Sequence, residues 1–243
     1  MSLLLYGITA THVSLPEALL GVANAAVRRI VVGPVAMLVS DYEGLEVSPR
    51  RKNLGGFQNV LKSISTEHDL LPAAFGMLSA DEKEVSALLE RHSAALLAEL
   101  ERIRGACEYS FRLRWVGENL FADYVERFSE LKVLRDRAFL GGKAPTQNER
   151  IQLGQSFEKR LQSERGRIVE LLLSELKPCI KESLELNFEN EQVLCNIALL
   201  VDRAQVLVLD AAVQSFAEKF DDKYLVELLG PWPPYSFAEL RLD

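Results

Sequence analysis

A strict alternation of large apolar and polar side chains runs from residue 108 to residue 115. The apolar series is Tyr109, Phe111, Leu113 and Trp115, and the polar series is Glu108, Ser110, Arg112 and Arg114. Successive side chains of a β-strand point to opposite faces of its sheet, whereas the 3.6-residue repeat of a helix would mix the two series. The pattern therefore predicts a strand with one buried face and one solvent-facing side, which carries Arg112 and Arg114.

Helix-forming and strand-forming segments follow that strand in a definite order. They are helical stripes at 121–134 and 157–172, a hairpin turn at 189–191, a helix at 206–220 and a strand at 224–229. The order is strand, long helical insertion, strand, strand, helix, strand, which is that of the ferredoxin-like βαββαβ topology. We expect a ferredoxin-like α+β domain at 106–230, with its helical insertion at about 117–180.

The first 105 residues also combine strands with helices. Strand-forming runs occur at 3–8, 29–32 and 35–42. Ser14 and Glu17 have the spacing of a capping box, which predicts a short helix at that point. Ser79 and Glu82 have the same spacing and precede an apolar helical stripe that ends near Gly105. We therefore predict a two-domain α+β protein, with an N-terminal α+β domain at 1–105.

Charge and cysteine content exclude several classes of protein. The 243-residue chain has a formal net charge of -7, so phosphate backbones would repel it and nucleic acid is not an expected partner. No apolar run reaches the roughly 18 residues of a membrane span, and the apolar N-terminus lacks the basic segment of a signal peptide. We expect a cytoplasmic protein with no lipid-membrane partner. Cys107, Cys179 and Cys195 lack metal-ligand spacing and are interpreted as reduced core thiols.

A search for chemistry-bearing motifs finds none that is complete. Gly141-Gly142-Lys143 lacks the rest of a phosphate-binding loop, and Ala144 follows the lysine where Ser or Thr is required. His12, His68 and His92 have no helix-spaced partner, and the sequence contains no GxSxG nucleophile elbow. We therefore predict no catalytic, cofactor-binding or metal-binding residue, no cofactor and no enzymatic activity.

The C-terminal segment is unusually stiff and aromatic. It reads Gly230-Pro231-Trp232-Pro233-Pro234-Tyr235-Ser236-Phe237. The prolines fix φ and remove N–H donors, so the chain is expected to leave the last strand as a polyproline-like extension. Three large aromatic side chains on such a segment need a surface to cover them. We predict that the tail at 231–243 packs on the protein itself, across the junction between the domains; the alternative is that it engages a partner.

Three strings together resemble a known family. They are the tail string at 230–237, Leu5-Tyr6-Gly7-Ile8 near the start, and Leu71-Pro72-Ala73-Ala74-Phe75-Gly76. In their order and spacing the chain is similar to the gas vesicle protein F/L family over essentially its full length. The resemblance favours the F member. The negative charge is moderate, without the acidic excess of proteins from salt-saturated cytoplasm, which favours a bacterial source.

The resemblance implies a function without catalysis. Members of the family are accessory or minor structural proteins needed to form gas vesicles, the gas-filled protein shells that give floating microbes buoyancy. The implied partners are the small hydrophobic shell protein and other gas vesicle accessory proteins, with which this chain would associate during nucleation or in the finished particle. The sequence leaves the oligomeric state open. It also leaves open whether the protein faces gas or cytoplasm and whether it stays after assembly.

One hypothesis is that a sheet face, strand edge or helix face captures the shell subunit before it polymerises. The candidate surfaces are the solvent-facing side through Ser110, Arg112 and Arg114 and the helices at 121–134 and 157–172. A generic ferredoxin-like ligand-binding module without catalysis is the alternative function, and an enzyme is a third. A pocket with convergent polar groups would favour the module, and a buried cluster of titratable groups would favour the enzyme.

Overall fold

The computed structural model describes residues 2–140 and 144–238 of the chain. It divides into two compact units. The first holds the residues up to Tyr109, the segment Leu199–Gln205 and the residues from Gly230 on, and the second holds Ser110–Ala198 and Val206–Leu229. Each of these units is made of separate segments of the chain. The domain limits predicted from the sequence, 1–105, 106–230 and 231–243, are continuous segments, and they stay predictions. Positions 141–143 of the predicted insertion and 239–243 of the predicted tail lie outside the described residues.

The first unit contains an antiparallel sheet in the order β2-β3-β1-β4, and β5 also pairs with β1. Its strands are β1 (Ser2–Ala10), β2 (Arg28–Val32), β3 (Val35–Tyr42), β4 (Leu71–Pro72) and β5 (Leu78–Ser79). β1 is buried along almost its whole length and its register against β3 shifts between Leu5 and Gly7. A central strand bonded on both sides has no solvent-facing backbone, which explains its almost continuous apolar sequence.

Helices α1 (Arg51–Ser65) and α2 (Glu82–Arg102) cover this sheet. The buried side of α1 forms one core with Leu4, Tyr6 and Leu38 of the sheet. α2 packs against β1, β2 and β3, and the α1 core contains none of the α2 residues that the structure describes. Because neighbouring strand residues point to opposite faces, the sheet has one helix on each face.

The two predicted capping boxes have different outcomes. α2 does form, but its N-cap is Asp81, which accepts hydrogen bonds from the backbone N–H groups of Lys83 and Glu84, while Ser79 lies in β5. The short helix predicted at Ser14 was wrong, since the described chain has no helix there. The Arg29 guanidinium donates to the carbonyls of Thr11 and Val13, which ties the chain just before Ser14 to β2.

The second sheet has the strand order β7-β8-β6-β9. Its strands are β6 (Ala106–Trp115), β7 (Ile180–Glu185), β8 (Val193–Asp202) and β9 (Tyr224–Trp232). Among the described residues, three α-helices lie between β6 and β7, namely α3 (Leu120–Arg127), α4 (Ser129–Ala138) and α5 (Gln147–Leu176). α6 (Val206–Ala217) lies between β8 and β9. The protein therefore has a mixed α and β fold with two antiparallel sheets. No described helix is both long and apolar enough to span a membrane.

The apolar side of β6 is buried, as the alternation predicted. Phe111 is fully buried and packs edge-on against Phe216 of α6, with ring centroids 5.5 Å apart. On the other side Arg112 and Arg114 are partly exposed. Glu108, which was also expected to face solvent, is buried with 5% of its surface exposed. The expectation was wrong for Glu108 because Ser236 of the tail covers its carboxylate.

The last strand is longer than predicted. β9 continues through Gly230 and Pro231 to Trp232, whereas the sequence placed its end at Leu229. Proline disrupts a sheet by removing an N–H from the ladder, but β9 is an edge strand, where an N–H can face away from the sheet without loss. The extension predicted to start at Pro231 therefore begins after Trp232.

Phe57 of α1 offers a test of the first core. Its ring is fully buried and lies 5.2 Å from that of Tyr6 and 5.3 Å from that of Phe75. We expect Phe57→Ala to lower the free energy of unfolding by about 3–5 kcal/mol, because the side chain leaves a cavity that its neighbours cannot fill. Urea unfolding followed by circular dichroism would measure it. Leu45→Ala, at a site that is 99% exposed, should change stability by less than about 0.5 kcal/mol; equal effects of the two substitutions would contradict this packing.

Candidate functional site

Two of the three family-like strings lie side by side in the first sheet. Gly7 of β1 is opposite Pro72 of β4, and Ile8 is opposite Leu71. The Ala73 backbone N–H also donates to the Tyr6 carbonyl, with an N···O distance of 2.9 Å. Strings separated by more than 60 residues in the sequence therefore form one continuous piece of backbone structure.

The tail string reaches the same place. An apolar cavity of about 340 Å³ in the first unit is lined by residues from all three strings, and we call it the motif cavity. Its walls include Leu5, Ile8, Met37, Leu71, Met77 and Tyr235. Ala238, the last described residue, also lines it. Its wall is mostly apolar, which suits the burial of hydrophobic groups and offers little to a polar ligand.

Gly7 allows the first two strings to approach each other this closely. A Cβ atom at this position would lie 2.6 Å from the Leu71 carbonyl oxygen and 2.8 Å from Cδ1 of Leu70. The first of these contacts is with backbone, which cannot rotate away. Any larger residue at position 7 would push β4 away from β1 and deform the wall of the motif cavity.

Tyr6 anchors the opposite face of β1. Its hydroxyl lies 2.9 Å from Ser40 Oγ and accepts a hydrogen bond from the Val22 backbone N–H at 2.9 Å. Burial raises the pKa of Tyr6, against the effect of these two hydrogen bonds. Gly21 leaves room for the hydroxyl, since a Cβ there would lie 2.0 Å from it. The tyrosine of the Leu-Tyr-Gly-Ile string therefore has a structural role, because it holds the loop before β2 in place.

The tail is held by polar contacts around Ser236. The Ser236 backbone N–H and hydroxyl donate to the two carboxylate oxygens of Glu108, each at 2.7 Å. The Arg102 guanidinium donates to the Phe237 carbonyl. Within the tail, the N–H groups of Phe237 and Ala238 donate to the Pro234 carbonyl, which folds the segment into a turn. The tail is therefore bound to the first unit.

The three tail aromatics have different environments. Phe237 is buried with 5% of its surface exposed, whereas Trp232 is 46% and Tyr235 38% exposed. Burial raises the pKa of Tyr235 to about 12, while a hydrogen bond with Gln58 acts in the opposite direction. Phe237 is thus the apolar anchor, and Tyr235 and Trp232 present part of their rings to solvent.

Gly230, at the start of the tail string, is also required for close approach. A Cβ atom there would lie 2.7 Å from the ring of Tyr109 and 2.9 Å from the Glu108 carbonyl oxygen. Pro231 and Trp232 continue β9 beyond it, and Pro233 and Pro234 begin the turn. Each residue of the string therefore has an identified position, but the role proposed for it in packing between domains stays a prediction.

The arginines predicted as a partner surface do not line the motif cavity. Arg112 pairs with Glu189 at 3.0 Å, and Arg114 lies 3.8 Å from Glu227. All four residues belong to the second unit. These are partly exposed ion pairs of modest strength, so both guanidinium groups keep donors available to solvent or to a partner.

The second unit has a polar cavity of its own that the sequence did not indicate. It measures about 460 Å³ and is lined by residues of β6, α3 and α5, by residues between 219 and 223 that follow α6, and by Tyr224 of β9. Several of its charged groups are already paired: Lys223 contacts Asp123 at 2.7 Å, and Arg167 contacts Glu164 at 3.2 Å. The lining residues come from four separate parts of the chain, so no local spacing in the sequence could have predicted them. Among the described residues, no group of three or more His, Cys, Asp or Glu side chains could hold a metal ion.

The chain is similar over its length to known proteins. Residues 2–239 match the family model described as gas vesicle synthesis protein GvpL/GvpF. The chain belongs to that family. It is 30% identical over 244 residues to gas vesicle protein F of a Streptomyces species, covering 98% of this chain and 100% of that protein. It is 27% identical over 241 residues to gas vesicle protein F of a Nostoc species, covering 98% of each.

The fold is also shared with a solved structure. The crystal structure of gas vesicle protein GvpF from an Anabaena species superposes with a TM-score of 0.86 at 27% identity, covering 98% of each chain. The family predicted from three short strings is thus confirmed. Both relatives carry the name of the F member, which the resemblance favoured.

Gly7→Ala tests whether close backbone approach shapes the site. We expect it to lower the free energy of unfolding by about 1–3 kcal/mol, because the new methyl group overpacks against the Leu71 carbonyl. Gly55→Ala is the matched control, since a Cβ there meets no atom within 4 Å and the site is in α1. The free energy of unfolding of that control should rise by up to about 1 kcal/mol, because alanine reduces the conformational entropy of the unfolded chain. Urea unfolding would compare them, and a neutral Gly7→Ala would refute the proposed contact.

Proposed function

We propose that this protein is an accessory or minor structural protein of gas vesicle formation. It binds the small hydrophobic shell protein during nucleation or as part of the vesicle, and it works in the cytoplasm, associated with the gas vesicle and its other accessory proteins. One observation carries the proposal: the three strings that mark the family meet around a single apolar cavity. Residues that resemble a family and also converge in space are better candidates for its shared function than the fold as a whole.

The contacts narrow the surfaces considered for shell-protein capture. The apolar stripe of α5 at Phe157, Leu161 and Leu172 is buried within the protein, and Phe121 packs against Phe157 with centroids 5.2 Å apart. Helix faces that are already covered cannot bind a partner without unfolding. This leaves the side of β6 with Arg112 and Arg114, the edge strands β7 and β9, and the motif cavity.

The architecture of the second sheet supports part of the proposal. Its elements run strand, helices, strand, strand, helix, strand, and its strands lie in the order β7-β8-β6-β9. We propose that it is a ferredoxin-like sheet with a helical insertion. Such a sheet has two edge strands, and an unpaired edge can add a strand from another chain.

The polar cavity of the second unit supports a second candidate, a ferredoxin-like ligand-binding module without catalysis. Burial raises the pKa of Tyr224, which also accepts a hydrogen bond from Arg127 at 2.7 Å, and both residues line the cavity. Perturbed titratable groups in a concave site are a common sign of ligand binding. A thermal-shift screen with small anions and metabolites would favour this module if one of them raised Tm while shell-protein binding was absent.

The main proposal is tested by deletion in a gas-vesicle-forming host. Removing the gene in frame should abolish or strongly reduce gas vesicles seen by electron microscopy, and restoring the wild-type gene should bring them back. Complementation with the stable control Gly55→Ala should restore vesicles as well, because the added Cβ atom would meet no atom within 4 Å. Normal vesicle numbers in the deletion strain would overturn the proposal.

Charge reversal tests the arginine face directly. We expect the double substitution Arg112→Glu, Arg114→Glu to weaken capture of purified shell protein about tenfold or more, since the new carboxylates would face Glu189 and Glu227 and reverse the local potential. Lys52→Glu with Lys159→Glu is the control for net charge, because both lysines are exposed on helices elsewhere. Co-sedimentation would measure binding. Equal binding by both double variants would remove this face from consideration.

A further inference from the structure

Glu108 is a buried carboxylate held by a neutral partner. Its surface is 5% exposed, and the hydrogen bonds it accepts are those from the Ser236 N–H and hydroxyl. Burial raises the pKa of Glu108, and the two bonds from Ser236 oppose this effect. A buried ionised group costs free energy unless a counter-charge compensates it. This contact is therefore weaker than its short distances suggest.

The cations on the elements around Glu108 are engaged elsewhere. On α2, Arg102 pairs with Glu99 at 2.8 Å and also donates to the Phe237 carbonyl. After β8, Arg203 pairs with Asp69 at 2.9 Å. Just after α2, Arg104 pairs with Glu101 at 2.9 Å. The titratable groups beside Glu108 on β6 are Cys107 and Tyr109, while Asp202 lies at the end of β8 and Tyr235 on the tail. Thiol, phenol and carboxyl groups carry no positive charge in either protonation state, and burial raises the pKa of the Cys107 thiol, which favours its neutral form.

The segment that Glu108 holds covers the motif cavity. We call residues 233–238 the strap. Tyr235 and Ala238 of the strap are part of the cavity wall, and Phe237 between them is buried. Lifting the strap would expose Leu5, Ile8 and Met37 beneath it. Glu108 and Ser236 thus sit at the attachment point of a cover over the apolar surface that the family strings build.

We propose that the strap is a conditional cover of the motif cavity and that the charge of Glu108 sets how firmly it is closed. When Glu108 is protonated, its burial is inexpensive and the strap is held most firmly. As the pH rises through the pKa of the docked carboxyl, which is higher than that of an exposed one, this contribution to closure is lost. Near neutral pH the Ser236 contact therefore holds the strap less firmly than below the pKa of Glu108, because desolvation of the charge offsets part of its two hydrogen bonds.

This inference deepens the proposed function by naming a regulated surface at the same site. It rests on that function only for the identity of the partner, because opening of the strap is a property of this chain alone. A protein that handles a hydrophobic subunit benefits from a covered apolar cavity, since a permanently open one promotes aggregation. If the tail had only a structural role, a neutral hydrogen-bond acceptor at position 108 would hold it more firmly than a glutamate does. The test therefore replaces Glu108 with such an acceptor.

Hydrogen exchange of the strap measures its closure. Glu108→Gln keeps an acceptor for the Ser236 N–H and a partner for its hydroxyl while removing the charge, so exchange of the amides of residues 236–238 should slow about threefold or more at pH 7.5. Glu108→Ala leaves both Ser236 donors unpaired and should speed exchange about tenfold. After correction for intrinsic rates, exchange in the wild type should slow as pH falls from 8 to 5, and in Glu108→Gln it should not depend on pH.

Controls separate this effect from general destabilisation. Glu90→Gln, at an exposed site on α2, should leave strap exchange unchanged, and amides of β1 should exchange at the wild-type rate in every variant. Ser236→Ala removes one donor and should give a smaller acceleration than Glu108→Ala, which keeps the test valid if the latter folds poorly. Equal strap exchange in wild type and Glu108→Gln at all pH values would overturn the proposal.

A second measurement distinguishes the strap from its proposed use. Wild type and Glu108→Gln are compared for capture of shell protein at pH 7.5, and tighter closure should reduce capture about threefold or more. If strap exchange responds as expected but capture does not change, the conditional strap stands and the motif cavity is not the capture surface. If strap exchange does not respond, the strap proposal fails whatever the capture result, and the proposed function is unaffected.

Discussion

The first unit depends on the close approach of two backbones at Gly7. β1 is bonded to β3 on one side and to the short strands β4 and β5 on the other, so it has little freedom to move. The Leu71 carbonyl lies where a side chain at position 7 would be, and only glycine leaves that space. With β1 fixed, its alternating side chains serve two cores, one under α1 and one on the face where the motif cavity lies.

The tail completes this arrangement through one buried apolar group and one buried charge. Phe237 contributes hydrophobic burial, which does not depend on pH. Glu108 accepts two hydrogen bonds from Ser236 but carries the cost of desolvation at neutral pH. When Glu108 is ionised, its desolvation offsets part of what these two hydrogen bonds contribute, so the tail is bound less tightly than it would be with a neutral acceptor at that position.

Local patterns in the sequence predicted the elements well, because each pattern reflects a short-range requirement. The alternation at Tyr109, Phe111 and Leu113 needs only a sheet with a core on one side, and β6 provides it. Glu108 belongs to the same pattern but was placed wrongly, since its cover comes from Ser236, 128 residues later. The helix at Ser14 failed although its capping-box spacing is local, and the carbonyls of Thr11 and Val13 just before it are bound by Arg29 of the distant strand β2.

The site was predictable only as separate strings, and its geometry explains why the strings matter. Nothing in Leu5-Tyr6-Gly7-Ile8 shows that Leu71 will lie against it, because strand pairing over that distance is set by the whole sheet. Once paired, the strings divide between two tasks. Tyr6 and Gly7 build the scaffold, whereas Leu71 and Tyr235 line a cavity that the first core does not use. An apolar space of about 340 Å³ lined by three separate segments is unlike a fully packed core, and the proposed capture of an apolar partner depends on that difference.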